Sequence, residues 1–198
     1  MTRPSDKPYV SRGGEKLAAA LDAFGVSPAG WVCADLGSNV GGFVDCLLRR
    51  GANRVYAIDT GYGVLAYTLR TDPRVVVLER TNAMHVTLPE PVDLATIDVA
   101  WTPQHRILPA AVSMLNPDGR IISLVKPHYE TDRSNLRHGV LSPENAKAAF
   151  DEVCGRIASI GLTVTQWLES PIKGQKGNVE YLVLLRPVPR PGHETSAK

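Results

Sequence analysis

The run Asp35-Leu-Gly-Ser-Asn-Val-Gly-Gly-Phe43 sets a carboxylate directly before a glycine cluster. Glycines let a backbone approach a ligand closely and adopt positive φ. Gly37, Ser38, Gly41, Gly42 and Phe43 are therefore candidates for a small-molecule cradle. The spacing is not G-x-G-x-x-G, and the Lys-Ser/Thr ending of a phosphate loop is missing, so NAD and ATP are disfavoured. A carboxylate ahead of the glycines suits a ligand that presents a positive amine there. Asp59 closes the next apolar run, where an acid commonly accepts hydrogen bonds from a ribose. An amino-acid end, a ribose and an adenine together describe S-adenosylmethionine. A tight turn with no ligand is the plainer alternative, and the presence of both acids argues against it.

These positions need a scaffold, and the chain supplies one. Leu17, Leu21 and Phe24 fall on one face of a helix expected over 12–25, closed by Gly25. Apolar runs at 31–35, 54–59, 75–78, 94–98 and 120–126 read as strands, and three of them end in Asp35, Asp59 and Asp98. Lys126 ends a fourth. Helices are expected over 41–50 and 104–115, with a turn at Asn116-Pro-Asp-Gly119. A polar loop follows Lys126 to about 141; Ser142-Pro143-Glu144 then opens a helix with an N-cap, a first-turn proline and an acid. Two last strands, 162–168 and 179–185, flank a Gly/Lys-rich loop. Strands alternating with helices predict an α/β fold, a mainly parallel sheet with helices on both faces, in one domain. In such a sheet the ligand crevice lies beyond the carboxyl ends of the strands, where Asp35, Asp59, Asp98 and Lys126 fall.

Composition narrows the class. At 43% apolar and 21% charged residues the chain can bury a core. It has no run near the roughly 20 apolar residues of a bilayer-spanning helix, and no signal-peptide pattern at its start. Cys33, Cys46 and Cys154 form no C-x-x-C pair, so neither a disulfide framework nor a metal site is expected. A cytoplasmic protein is. Residues 1–16, 126–140 and 171–190 carry net charges of +2, +1 and +3, leaving −4 on the remainder of a +2 chain. Basic surface assembled from separate segments suits a polyanion, although loops and tails also collect charge without any partner.

Several ordered motifs carry a resemblance. Tyr9-Val-Ser-Arg-Gly-Gly-Glu-Lys16, the glycine loop, Ala57-Ile-Asp-Thr-Gly-Tyr-Gly63, Glu79-Arg-Thr-Asn82, Ile97-Asp98-Val, Leu124-Val-Lys126-Pro, Ser170-Pro-Ile-Lys-Gly and Gly177-Asn-Val-Glu180 resemble the FtsJ-like ribose 2′-O-methyltransferases. They are most similar to the catalytic part of the hemolysin A-like (TlyA) branch. The likeness implies a Rossmann-like S-adenosylmethionine-dependent methyltransferase domain over 11–186; the residues outside it read as a flexible arm at 1–10, with two prolines, and a disordered tail at 187–198. It implies a Lys-Asp-Lys-Glu tetrad at Lys16, Asp98, Lys126 and Glu180 that acts on a ribose hydroxyl of RNA, ribosomal RNA above all. In that set Lys126 takes the hydroxyl proton, Asp98 orients Lys126, and Glu180 holds Lys16 or the ribose. To take a proton Lys126 must be held neutral, which a second ammonium nearby and partial burial favour. The methionine part is implied at Gly37, the ribose at Asp59 and the adenine edge at Asn82.

The chain departs from that pattern in places. Asn39-Val40 stands where the branch has Ser-Thr, Ala100-Trp-Thr-Pro103 where it has Ser-Phe-Ile-Ser, and His128-Tyr129 where Gln-Phe is common. Tyr129 is read either as a base-stacking group or as a packed aromatic. The branch's N-terminal S4 RNA-binding domain has no counterpart in these residues, so RNA recognition is expected from the basic arm and the Lys173–Lys176 loop, or from a partner. The competing reading is a catalytically silent RNA-binding module that keeps the fold; the intact tetrad argues against it. No oligomeric state can be read, and a monomer is the simpler expectation.

Overall fold

A computed structural model describes residues 8–188. Its strands are β1 (Val32–Leu36), β2 (Arg54–Ile58), β3 (Val75–Leu78), β4 (Val92–Ile97), β5 (Leu115–Val125), β6 (Leu162–Glu169) and β7 (Tyr181–Pro187). Its helices are α1 (Arg12–Phe24), α2 (Gly42–Arg49), α3 (Tyr67–Arg70), α4 (Gln104–Met114), α5 (Pro127–Glu130) and α6 (Pro143–Ser159). The strands form one sheet in the order β3-β2-β1-β4-β5-β7-β6. β1 to β5 are parallel, and β7 slots antiparallel between β5 and β6. This is the mainly parallel, two-faced sheet expected from the sequence.

Local chemistry sets the elements. The Ser11 side chain accepts from the Gly13 amide to start α1, and Gly25 closes it in the left-handed region at φ +62°. Ser142 caps α6 by accepting from the Asn145 amide, with Pro143 in the first turn. Because helices cover both faces, the central strands are apolar on both sides. One core packs Leu17, Leu21, Phe24, Phe43 and Leu47 of α1 and α2 beneath the sheet. The other packs Ile107 and Leu108 of α4 with Phe150, Val153 and Ile157 of α6 above it.

Three differences from the sequence reading have physical causes. β5 begins at Leu115 rather than after the turn: Val92 pairs with Leu115 and Leu94 with Arg120, so Asn116–Gly119 is a turn thrown out of a continuous strand. The Asn116 side chain accepts the Asp118 amide at 3.1 Å to hold it. The loop after Lys126 opens with the helical turn α5, which Pro127 preorganises. Tyr9 and Val10, assigned above to the arm, instead pack on the α1–α2 core, and the Val10 amide donates to Asp45 Oδ2 at 2.9 Å. Likewise Pro187 ends β7 and Val188 donates to the Gly161 carbonyl at 2.9 Å. Residues 1–7 and 189–198 of the expected arm and tail lie outside the described residues.

The order of strands decides where a ligand can sit. β2 and β3 run off one side of β1 while β4 and β5 run off the other, which opens a crevice at the carboxyl ends of β1 and β4.

Candidate active site

A cavity of about 1310 Å³ occupies that crevice. Its walls include Lys16, Asp35, Gly37, Ser38, Gly42, Phe43, Asp59, Asn82, Asp98, Lys126 and Glu180. Of the predicted site residues only Gly41 is absent from the wall. It serves the turn instead: its φ is +101°, and a Cβ there would strike Leu69 Cδ1 at 2.3 Å.

Two lysine–carboxylate pairs meet in the cavity. Lys126 leaves the end of β5 and reaches Asp98, just past the end of β4, with Nζ 2.7 Å from Oδ1. The same ammonium donates to the Val99 carbonyl at 3.2 Å. Lys16 projects from the buried face of α1 to the carboxylate of Glu180, one residue ahead of β7. Both members of that second pair are buried, Lys16 at 8% exposure and Glu180 at 4%. Room for it depends on Gly174, where a Cβ would lie 2.1 Å from Glu180 Oε1. Asn178 ties the surrounding loops together: its amide donates to the Gly139 carbonyl at 2.9 Å and its carbonyl accepts the Leu141 amide at 3.0 Å.

The glycine loop makes the other half. Gly37 has φ +87°, and a Cβ on it would stand 2.7 Å from the Asp98 carbonyl oxygen, so the β1 and β4 ends approach as closely as backbone allows. Asn39 takes φ +47°, a conformation that asparagine tolerates far better than the β-branched or bulky residues. Its amide donates to Asp59 Oδ2 at 2.8 Å, and the Gly61 amide donates to Oδ1 at 2.7 Å. Asp59 thus shapes the loop and keeps lone pairs for further donors. Asn82 accepts the Met84 amide at 3.0 Å through its side-chain carbonyl, which leaves its NH2 group as a donor.

Asp35 is fully enclosed on β1, opposite Thr96 of β4. Its Oδ1 accepts from the Thr96 hydroxyl at 2.7 Å, while Oδ2 has no partner among the described residues. Burial pushes this carboxyl up to about 8, with Asp98 and Asp59 adding to the rise against the lowering by Thr96. An orphaned acid oxygen above a glycine cradle, in a cavity of this size, fits a ligand that carries a positive amine.

Sequence reasoning gave one wall residue, His128, no role of its own. His128 lines the cavity with Nδ1 enclosed and without a partner among the described residues; burial and the neighbouring Lys126 and Lys16 ammonium groups push it down to about 4, so the ring is neutral. Two of the three departures from the family pattern touch each other: the Trp101 and Tyr129 ring centroids lie 4.9 Å apart with planes tilted by 38°, and those of Tyr129 and His128 lie 4.2 Å apart, tilted by 48°. Trp101 is 73% exposed and held at φ +65°, a costly conformation for a bulky residue. Arg12, Arg133 and Lys176 also border the cavity, and Lys173 is exposed on the Lys176 loop. The signal for His128 was its place two residues past Lys126; for the rest only folding brings separate loops to one rim. Among the described residues no cluster of His, Cys, Asp or Glu is arranged to hold a metal ion, and no helix is long and apolar enough to cross a membrane.

The sequence model of the FtsJ-like methyltransferase family matches residues 9–187. The chain is 43% identical over 188 residues to a Mycobacterium tuberculosis protein named 16S/23S rRNA (cytidine-2′-O)-methyltransferase TlyA, a match covering 92% of this chain and 70% of that protein. It is 37% identical over 180 residues to Hemolysin A of Brachyspira hyodysenteriae, covering 88% and 75%. A solved structure described as a hemolysin from Streptococcus thermophilus superposes with a TM-score of 0.88 at 33% identity, covering 94% of this chain and 70% of that one.

Proposed function

The chain belongs to the FtsJ-like methyltransferase family, and on that premise we propose that it methylates a ribose 2′-hydroxyl of ribosomal RNA, in the cytoplasm, using Lys16, Asp98, Lys126 and Glu180. Its cofactor is S-adenosylmethionine, which when bound supplies a methyl group on a sulfonium, an electrophile that needs no metal. The observation that carries the proposal is the meeting of two lysine–carboxylate pairs from four chain segments beside the unpartnered Asp35.

A ribose hydroxyl is a weak nucleophile and must lose its proton as it attacks. Once the Lys126 ammonium has given up one proton, the amine keeps two N–H groups for Asp98 Oδ1 and the Val99 carbonyl and a lone pair for the hydroxyl proton. Asp98 holds the amine in register and balances the ammonium that forms. Lys16, locked to Glu180, presents its remaining N–H groups to the target ribose and orients it for in-line attack. Asp35 receives the cofactor's amine, the glycine loop around Gly37 its methionine part, Asp59 its ribose and the Asn82 amide its adenine edge. Arg12, Arg133, Lys173 and Lys176 meet RNA phosphates, and the Trp101–Tyr129 pair offers an aromatic face to a base.

Lys126→Met tests the base. Tritiated methyl transfer to ribosomal subunits should fall by about 10²–10⁴-fold, the product should carry an alkali-resistant linkage, and cofactor binding should persist. Methylation that survives in the variant at the wild-type rate would remove Lys126 from the reaction, and binding without transfer by the wild-type protein would favour the silent-module reading.

A further inference from the structure

The cofactor pocket contains a buried acid with no cation to meet it. Asp35 is 1% exposed; Thr96 satisfies one oxygen and nothing described satisfies the other. The charged groups that face it are acids: Asp98 from the end of β4 and Asp59 from the end of β2. The buried Lys16 and the partly buried Lys126 are committed elsewhere, Lys16 to Glu180 and Lys126 to Asp98. His128 on α5 is neutral, and Cys33, two residues back on β1, is a buried thiol. Leaving a lone carboxylate in such a place is costly, so the acid keeps its proton when nothing positive is present.

We propose that S-adenosylmethionine enters this protein in exchange for a proton: the cofactor's ammonium takes the place at Asp35 Oδ2 from which a proton departs to solvent. The O–H bond of the carboxylic acid breaks, the proton goes to buffer, and the carboxylate that remains pairs with the incoming amine; no redox partner takes part. The empty pocket is then neutral at Asp35 and the filled one contains a matched pair, so no state buries an unbalanced charge there. The inference rests on the assignment of the amine to Asp35 made above. It also gives the site a way to reject adenosine compounds without an α-amino group, because these leave the acid protonated and its Oδ2 unmatched.

The test is calorimetric titration of the full chain with S-adenosylhomocysteine, whose amine is intact, in buffers of different ionisation enthalpy. With Asp35 titrating near 8, binding at pH 6.5 should release about one proton, and Kd should tighten about ninefold from pH 6 to pH 7. That window lies below the titration of an α-amino group. Binding of 5′-methylthioadenosine, which has no α-amino group, should release none and show no such trend. Asp35→Asn should bind S-adenosylhomocysteine more weakly, without proton release and with a flat pH profile. A wild-type titration whose heat is the same in every buffer overturns the exchange even if Asp35→Asn binds weakly, and in that case the amine contact survives alone. An unchanged affinity and proton count in Asp35→Asn overturns the amine contact itself. Should the variant fail to fold, an infrared difference spectrum of the wild-type protein decides: ligand binding must erase a protonated-carboxyl C=O band, and its persistence refutes the exchange.

Discussion

Gly174→Ala sets two effects of opposite sign against each other. Gly174 has φ −62° and ψ 179°, a conformation alanine adopts freely. Replacing glycine at such a position ordinarily stabilises by about 0.4–1 kcal/mol through the unfolded chain. Here the new Cβ would sit 2.1 Å from Glu180 Oε1 and 2.8 Å from Cδ. For a solvated glutamate the carboxylate would swing aside at little cost. Glu180 is 4% exposed and paired with Lys16, so swinging aside leaves a buried ammonium without its counter-charge. Breaking a buried pair by removing one partner costs about 3–5 kcal/mol, and displacement falls at the lower end of that range. The net expectation is a loss of about 2 kcal/mol, or about 4–8 °C in Tm for a domain of this size. Urea denaturation and thermal melting of Gly174→Ala, Glu180→Gln and the double variant measure it. Because both substitutions act on one contact, the double variant should lose clearly less than the two single losses combined. Methyl transfer should fall in all three. A Gly174→Ala protein that is as stable and as active as wild type would refute the reasoning, and so would strict additivity.

Three other expectations follow from the same geometry. Gly37→Ala forces an L-residue to φ +87° with its Cβ 2.7 Å from the Asp98 carbonyl, an atom that cannot rotate away; cofactor binding should be lost in calorimetry while circular dichroism remains near native. His128 titrates near 4 in the folded chain against about 6.5 unfolded. Its contribution is therefore intact above pH 6.5 and lost as pH falls toward 4, by up to about 3 kcal/mol before solvent screening reduces it. His128→Gln should flatten that part of the stability–pH curve, and an unchanged curve would place the acid sensitivity elsewhere. Lys176→Ala, at the rim, should weaken RNA binding and lower the slope of log affinity against log salt by about 1; filter binding across a salt series reads it, and an unaltered slope removes Lys176 from the RNA surface.

Much of the framework was legible because it rests on short-range rules. An apolar run that ends in Asp35 or Asp59 reads as a strand leading to a turn, and Ser11, Gly25 and Ser142-Pro143 mark helix ends by the hydrogen bonds their own neighbours offer. The glycine loop announced a cradle because positive φ is a property of the residue. What stayed hidden depends on chain segments far apart. Nothing local says that β7 runs antiparallel between β5 and β6, yet that insertion carries Glu180 to the cavity. Its pairing with Lys16 closes a separation of 164 residues, and no periodicity reports such a contact.

The sequence by itself determined the sheet-and-helix alternation, the cradle, and, through ordered motifs, the four residues expected to act together. Only the tertiary structure decided that Glu180 sits on Lys16, that Gly174 makes space for Glu180, that Asp35 has one oxygen unmatched among the described residues, and that His128 is neutral between two ammonium groups. The division has one physical reason. Backbone conformation is set by a residue and its near neighbours, whereas charge state and pairing are set by what burial removes from water and by what the fold brings alongside.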